Sequence, residues 1–239
     1  MEFVKYMIFS RQSNILVIVA HPDDEVLGCG GTICHFSQEG CKIYLCVLGE
    51  GITSRYQNRN ECDSQYVSNL HKTSKKISKI QGYKESFYFS LPDNRFDTVP
   101  ILDIIKKIEL LIEQIRPATI FTHHYGDLNI DHSITYRAVL TATRPLQDFC
   151  VKNIYTFEIP SSTEWAFSTL ANAGFQPNTF VDISKTIDQK IKALELYTGE
   201  VKDYPHPRSP KAIQCISQKW GSTVGFLYAE PFQLIRSVF

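Results

Sequence analysis

The sequence predicts an α/β protein with a parallel, doubly wound sheet. Three observations carry that reading. The run Ile15-Leu16-Val17-Ile18-Val19 is purely apolar, as a strand buried on both faces must be. Strand-like and helix-like patterns then alternate through the first two thirds of the chain, which favours right-handed crossovers into one parallel sheet. Finally, 239 residues suffice for one well-buried α/β domain and are few for two, so a single domain over residues 1–239 is expected.

The elements follow in order. Residues 14–20 read as a strand. Residues 25–39 are helical, opened by Gly28, Gly30 and Gly31 and stopped at Gly40. Ile43 to Leu48 is a second strand, and Gly49 to Asn60 a polar loop. Residues 63–80 suit a polar surface helix, and Ser86 to Phe89 a third strand followed by a loop through Thr98. Apolar residues at 101, 104, 105, 108, 111, 112 and 115 make a helical stripe over 99–115, and Pro117 forces the exit. Residues 118–122 form a fourth strand and about 131–143 a helix. The last third changes character: strands at 152–157 and 178–183, helices at 184–197 (with a Ser184 cap) and 208–220, and an extended segment starting at Phe226. Repeats, low-complexity tracts and linkers are absent from the sequence.

Lys plus Arg and Asp plus Glu both number 25, so the formal charge is zero. That balance gives no electrostatic case for nucleic acid or an anionic membrane. The seven cysteines are odd in number, contain no C-x-x-C and fall mostly in apolar runs, which fits buried reduced thiols. The first fourteen residues, with Glu2, Lys5 and Arg11, do not make a signal peptide. No apolar run approaches the roughly 20 residues that span a bilayer. A cytoplasmic enzyme is expected.

Two segments concentrate metal-ligating residue types. The first, His21-Pro22-Asp23-Asp24, directly follows the first strand. Pro22 fixes its own φ and biases His21 toward extended geometry, so the side chains fan out. The adjacent Asp23 and Asp24 point apart, so one can ligate a cation while the other faces a water. The second segment, His123-His124-Tyr125-Gly126-Asp127-Leu128-Asn129-Ile130-Asp131-His132, follows the fourth strand. Both loops should open on the carboxyl edge of one sheet, where open α/β sheets bind ligands. Two imidazoles, one carboxylate and an open position form the donor set of a hydrolytic zinc site. Taken singly, each piece has a plain structural reading: the Asp pair as a helix cap, His123 and His124 as strand ends, His132 as an ordinary helical residue. Two such loops at matching strand ends favour the metal site.

These residues resemble a known family. Ala20 to Glu25, Gly28-Cys29-Gly30-Gly31, Gly49-Glu50-Gly51, Gly126-Asp127 through Asp131-His132, and Ala229-Glu230-Pro231-Phe232 are similar to the PIG-L/LmbE zinc-dependent N-deacetylases. The resemblance implies a Rossmann-like, mostly parallel sheet with helices on both faces. It implies removal of an acetyl group from an N-acetylated amino sugar or its conjugate. By position, His21, Asp24 and His132 would hold the zinc, Asp23 would be the general base, and Asp131 would orient a neighbouring side chain. Fe2+ or Co2+ are the divalent alternatives. Many members carry a His at the position of Asn129, for oxyanion support; here an amide donor or another residue must serve.

Substrate contacts are expected from loops on the same edge: Glu50 and Arg55 after the second strand, Asp93, Asn94 and Arg95 after the third, and His206 and Arg208 before the last helix. Residues 158–165 offer Trp165 as an aromatic wall. Several arginines at one mouth suggest a phosphate-bearing substrate, such as a nucleotide-linked sugar in surface-polysaccharide assembly. Two other readings are a metal-dependent amidase acting on a thiol or lipid conjugate, and a non-catalytic nucleotide-binding module. The module would use the glycine cluster, which lacks full G-x-G-x-x-G spacing and follows acidic residues. Sequence alone leaves the sugar, the acyl group and the oligomeric state open.

Overall fold

Both faces of the first strand are covered, which explains its unbroken apolar run. The computed structural model describes residues 13–145, 149–167 and 174–239. In it, strands β1 (Asn14–Val19), β2 (Lys42–Gly49), β3 (Glu85–Leu91), β4 (Thr119–His123), β5 (Asn153–Phe157), β6 (Thr179–Asp182) and β7 (Ala229–Ser237) form one sheet, in the order β3-β2-β1-β4-β5-β7-β6. The first five are parallel, and β7 runs antiparallel to β5 and to β6. Alternate residues of β1 go to different cores. Ile15, Val17 and Val19 pack with Leu27, Ile33 and Ile191 on one face. Leu16, Ile18 and Ala20 pack with Ile104, Ile108 and Ala138 on the other.

The helices are α1 (Asp24–Gln38), α2 (Ser64–Gln81), α3 (Ile101–Ile115), α4 (Ile130–Ala142), α5 (Ile187–Glu195) and α6 (Pro210–Val224). The expected helices and strands recur with small shifts, and two helix starts differ for local reasons. Asp182 Oδ1 accepts from both the backbone N and the hydroxyl of Ser184, folding that segment into a turn, so α5 starts three residues later than expected. Helix α6 starts at Pro210, not at residue 208, because Ser209 Oγ caps the Ala212 N–H at 3.1 Å and proline suits the first helical position.

Helix α1 departs most from expectation. The glycines do not open it; they lie inside it, around a break at Cys29 (φ −147°, ψ 17°). The break exposes backbone groups that a buried ion pair satisfies. Glu230 on β7 accepts the N–H groups of Gly31 (3.0 Å) and Thr32 (2.7 Å), and Lys190 on α5 donates to the Leu27 carbonyl (2.8 Å) and to Glu230 (2.6 Å). The glycines are a packing requirement: a Cβ on Gly28 would lie 2.3 Å from a ring carbon of Phe157, and one on Gly31 2.9 Å from Ile183. Such overlap excludes any side chain without movement. The cluster serves close packing of α1 against β5 and the segment after β6.

Strand order reverses at β1, which pairs with β2 on one side and β4 on the other. This switch point brings the loops after β1 and β4 side by side at one edge.

Candidate metal centre and active site

The turn after β1 is held in an unusual backbone conformation. Asp23 has φ 114° and ψ −28°, a region that L side chains rarely adopt. Glu25 holds it there: its Oε2 accepts the Asp23 N–H at 2.9 Å, while Oε1 receives the Tyr197 hydroxyl at 2.6 Å. Asp24 Oδ2 accepts the His21 N–H at 2.8 Å, closing the turn on itself. Asp23 and Asp24 thereby diverge at the start of α1.

The second loop brings His132 to the same place. Asn129 caps α4 by accepting the Asp131 N–H at 2.9 Å, which puts His132 in the first turn. His21, Asp24 and His132 are all buried, and one ligand atom from each lies within 4.8 Å of the others. Nδ1 of His21 is 3.5 Å, and Nε2 of His132 3.4 Å, from Asp24 Oδ2.

Carboxylates behind each imidazole fix its tautomer. Nε2 of His21 lies 3.0 Å from Asp131 and 3.1 Å from Asp93; carboxylates only accept, so Nε2 carries the proton and Nδ1 presents its lone pair toward Asp24. Asp131 is itself fixed by the N–H groups of Asn94 (2.6 Å) and Phe96 (2.9 Å). Nδ1 of His132 lies 3.0 Å from Asp127, which accepts from the hydroxyls of Ser162 and Thr163. Both ring nitrogens of His132 are buried without a well-aligned hydrogen bond among the described residues, Nε2 at 3.4 Å from Asp24 and Nδ1 at 3.0 Å from Asp127. Two imidazoles facing a buried carboxylate fit a divalent cation. A second group of suitable spacing, His21, Asp93 and Asp131, converges on the protonated Nε2 and offers no free ring lone pair there.

Electrostatics follow the same arrangement. Burial disfavours the His132 imidazolium, but Asp24 and Asp127 outweigh it and push His132 up to about 9. His21 is likewise held well above its usual value against burial, by Asp131, Asp24 and Asp93. Burial and the cationic His132 push His123 down to about 3. His123 stacks on His132 with ring centroids 3.9 Å apart, and its Nε2 accepts the Ala20 N–H at 2.9 Å, so the backbone occupies that lone pair. His124 is buried at the end of β4. Burial pushes the Asp23 carboxyl well above the usual range, against the Arg208 guanidinium 2.9 Å away.

A cavity of about 130 Å³ opens on the cluster, lined by His21, Asp23, Asp24 and His132 with Gly51, Ser54, Arg55, Asp93, Asn94, Asn129, Glu200 and Arg208. Of the substrate candidates, Arg55, Asp93, Asn94 and Arg208 therefore face the cluster. Asp93 is spent on His21 and on the Ser54 N–H, which it accepts at 2.9 Å. Glu50 is not among the lining residues: Arg59 grips both its oxygens (2.8 and 2.9 Å) and Thr53 donates to it. It faces a separate cavity of about 660 Å³ instead. Arg95 is exposed and His206 accepts the Arg208 N–H at 3.1 Å; neither lines the site cavity. Trp165 packs edge-on against His206. Sequence reasoning assigned no role to Asp127, Glu25, Tyr197 or Glu200. Asp127 lies inside the quoted second segment, but only the fold shows that it backs His132.

Fold and site together define an α/β protein with a buried His-Asp-His cluster at the sheet's switch point. The family described as PIG-L: GlcNAc-PI de-N-acetylase matches residues 16–143, more than half of the chain and inclusive of all three cluster residues; the chain belongs to this family. It is similar to the uncharacterized deacetylase YaiS of Escherichia coli (27% identical, covering 78% of this chain and 91% of that one). It is also similar to a Bacillus cereus protein described as "Probable N-acetyl-alpha-D-glucosaminyl L-malate deacetylase 2" (24% identical, 92% and 97%). Among solved structures, the N,N'-diacetylchitobiose deacetylase of Pyrococcus horikoshii superposes with a TM-score of 0.76 (18% identical, 94% and 84%). GalB, the 4-carboxy-2-hydroxymuconate hydratase of Pseudomonas putida, also gives 0.76 (19% identical, 95% and 98%). Those two likenesses are of fold alone, and their named reactions differ. The fold does not choose the chemistry.

Proposed function

We propose that this protein is a zinc-dependent hydrolase that removes the acetyl group from an N-acetylated amino sugar or its conjugate. The observation that carries the reading is the convergence of His21, Asp24 and His132 beside a fourth carboxyl, Asp23, in one cavity. Membership of the de-N-acetylase family and the deacetylases among its relatives support it.

His21, Asp24 and His132 hold the cation, zinc by donor type, with Fe2+ or Co2+ acceptable to the same set. When bound, such a cation polarises an amide carbonyl and acidifies a water. Asp23, free of the ligand set, takes the proton of the attacking water and returns it to the departing amine. Its raised affinity for protons suits both halves of that transfer. Asn129 commits its carbonyl oxygen to capping α4 and keeps its amide N–H2 to donate to the developing oxyanion. Asp131 positions His21, and Asp127 positions His132. Free amine and acetate leave. No helix among the described residues is long and apolar enough to cross a membrane. Seven unpaired cysteines suit the cytoplasm.

Acetate release from a panel of methyl N-acetylglucosaminide, diacetylchitobiose, and thiol- and lipid-conjugated amides tests the reading. Acetate from the sugars supports it. Cleavage confined to the thiol or lipid conjugates would move the reaction to another amide. Purified protein lacking any stoichiometric divalent metal and any amidase activity would leave only a binding module.

Protons and the cation compete for the same imidazoles. Against the effect of burial, Asp24 and Asp127 push His132 up to about 9 from the ordinary 6.5 when no cation is bound. That contribution to stability is complete below pH 6.5 and fades as pH rises through 9. Adding zinc at pH 7 should therefore release protons, and zinc affinity should fall as pH drops. Titration in weak buffer with a pH indicator measures this; uptake of zinc without proton release would contradict the assignment.

A further inference from the structure

We propose that Glu200 determines specificity in this cavity: by engaging both of its arginines, it makes the enzyme select an uncharged N-acetyl sugar over one bearing an anionic group. The inference rests on the deacetylase reading for the identity of the ligand, and it reverses the expectation that the arginines of this mouth await a phosphate.

The two guanidinium groups come from different loops, Arg55 after β2 and Arg208 before α6, and Glu200 lies in the turn following α5. One oxygen of Glu200 accepts from Arg55 Nη2, and the other lies 3.4 Å from Arg208 Nη1. The same Nη1 donates to Asp23 at 2.9 Å, and Nε donates to Ser161 at 2.8 Å. A row of alternating charge, Asp23, Arg208, Glu200 and Arg55, thus borders the cavity. Glu200 is only 8% exposed, so this is not a loose surface pairing at its centre, although Arg55 itself is half-exposed. The third arginine nearby, Arg59, has its fork filled by Glu50.

Among the lining residues, carboxylates (Asp23, Asp24, Asp93, Glu200) outnumber guanidinium groups (Arg55, Arg208). A divalent cation held by the His-Asp-His cluster brings the cavity toward neutrality and leaves no surplus positive charge for a ligand. An anionic substituent would have to displace Glu200 from its partners or be desolvated against it, and both cost affinity. A neutral sugar meets neither penalty, because its hydroxyls need only single hydrogen bonds. The free amine of the product, protonated in water, gains from the same carboxylates.

The test uses metal-loaded full-length protein and two ligands that cannot be deacetylated, methyl glucosaminide and glucosamine 1-phosphate, titrated by calorimetry. Both ligands carry the same protonated amine and differ at the phosphate, so wild type should bind the phosphate-free ligand roughly tenfold or more tighter than the phosphate, and Glu200→Gln should shift the ratio toward the phosphate by about tenfold or more. Glu200→Ala, checked by melting and circular dichroism, serves if the amide misfolds, and the wild-type ratio needs no substitution. Tighter binding of the phosphate by wild type would overturn the proposal. So would an unchanged ratio in both variants, including no detectable binding of either ligand. Acetate release is read separately: a binding ratio as expected, without turnover of any N-acetyl sugar, would strike the deacetylase reading and leave the charge selection standing.

Discussion

Asp23→Asn keeps its bound metal and loses acetate-releasing activity by about 10²–10⁴-fold, the usual contribution of a positioned general base. The asparagine amide matches the carboxylate in shape but cannot take a proton. Asn is also the right probe of this position, since it tolerates the positive φ of 114° better than most residues and so leaves the turn intact. Arg208 keeps Glu200 and Ser161 as partners, so its loop stays in place. His132→Ala behaves differently. It removes a donor from the cluster and leaves Asp127 and Asp24 without the imidazole between them, so both metal and activity go. Metal content by emission spectroscopy alongside acetate release separates the two. Equal metal loss in both variants would refute the division of roles between Asp23 and the three ligands.

The place of the His-Asp-His cluster in the fold was legible from sequence in outline. An unbroken apolar run with ligand types directly after it fixes both a central strand and the edge on which its residues appear, because a strand covered on both faces can end nowhere else. The stripe of α3 and the exits at Gly40 and Pro117 are similarly local. The partners that give the site its electrostatics are not. Asp127, which contacts His132 directly, is itself held by the hydroxyls of Ser162 and Thr163, more than thirty residues away in sequence. Glu25 reaches Tyr197 across 172 residues, and Glu200 reaches Arg55 across 145. No period or spacing encodes such contacts; they exist once the sheet is assembled. Glu50 shows the converse error. Its place after β2 suggested a sugar ligand, and Arg59, nine residues on, turns it toward a different cavity.

The interruption of α1 supplies the largest expected effect on stability. Lys190→Met removes the ammonium that satisfies the Leu27 carbonyl and balances Glu230, at a site where both ionic side chains are at most 5% exposed. Glu230 keeps its two backbone donors, Gly31 and Thr32, but loses its counter-ion. Breaking one side of a buried pair costs about 3–5 kcal/mol. Urea unfolding should show that loss as a lower midpoint with an unchanged slope. The double variant Lys190→Met with Glu230→Gln should recover part of it, because a neutral amide still accepts a backbone N–H and no charge is left buried alone. A single variant within about 1 kcal/mol of wild type, in the range of an exposed pair, would mean that the break at Cys29 is held by packing and not by charge. The consequence reaches the site. The same helix that breaks at Cys29 starts at Asp24, so the pair on β7 and α5 supports the helix that carries this carboxylate into the cluster.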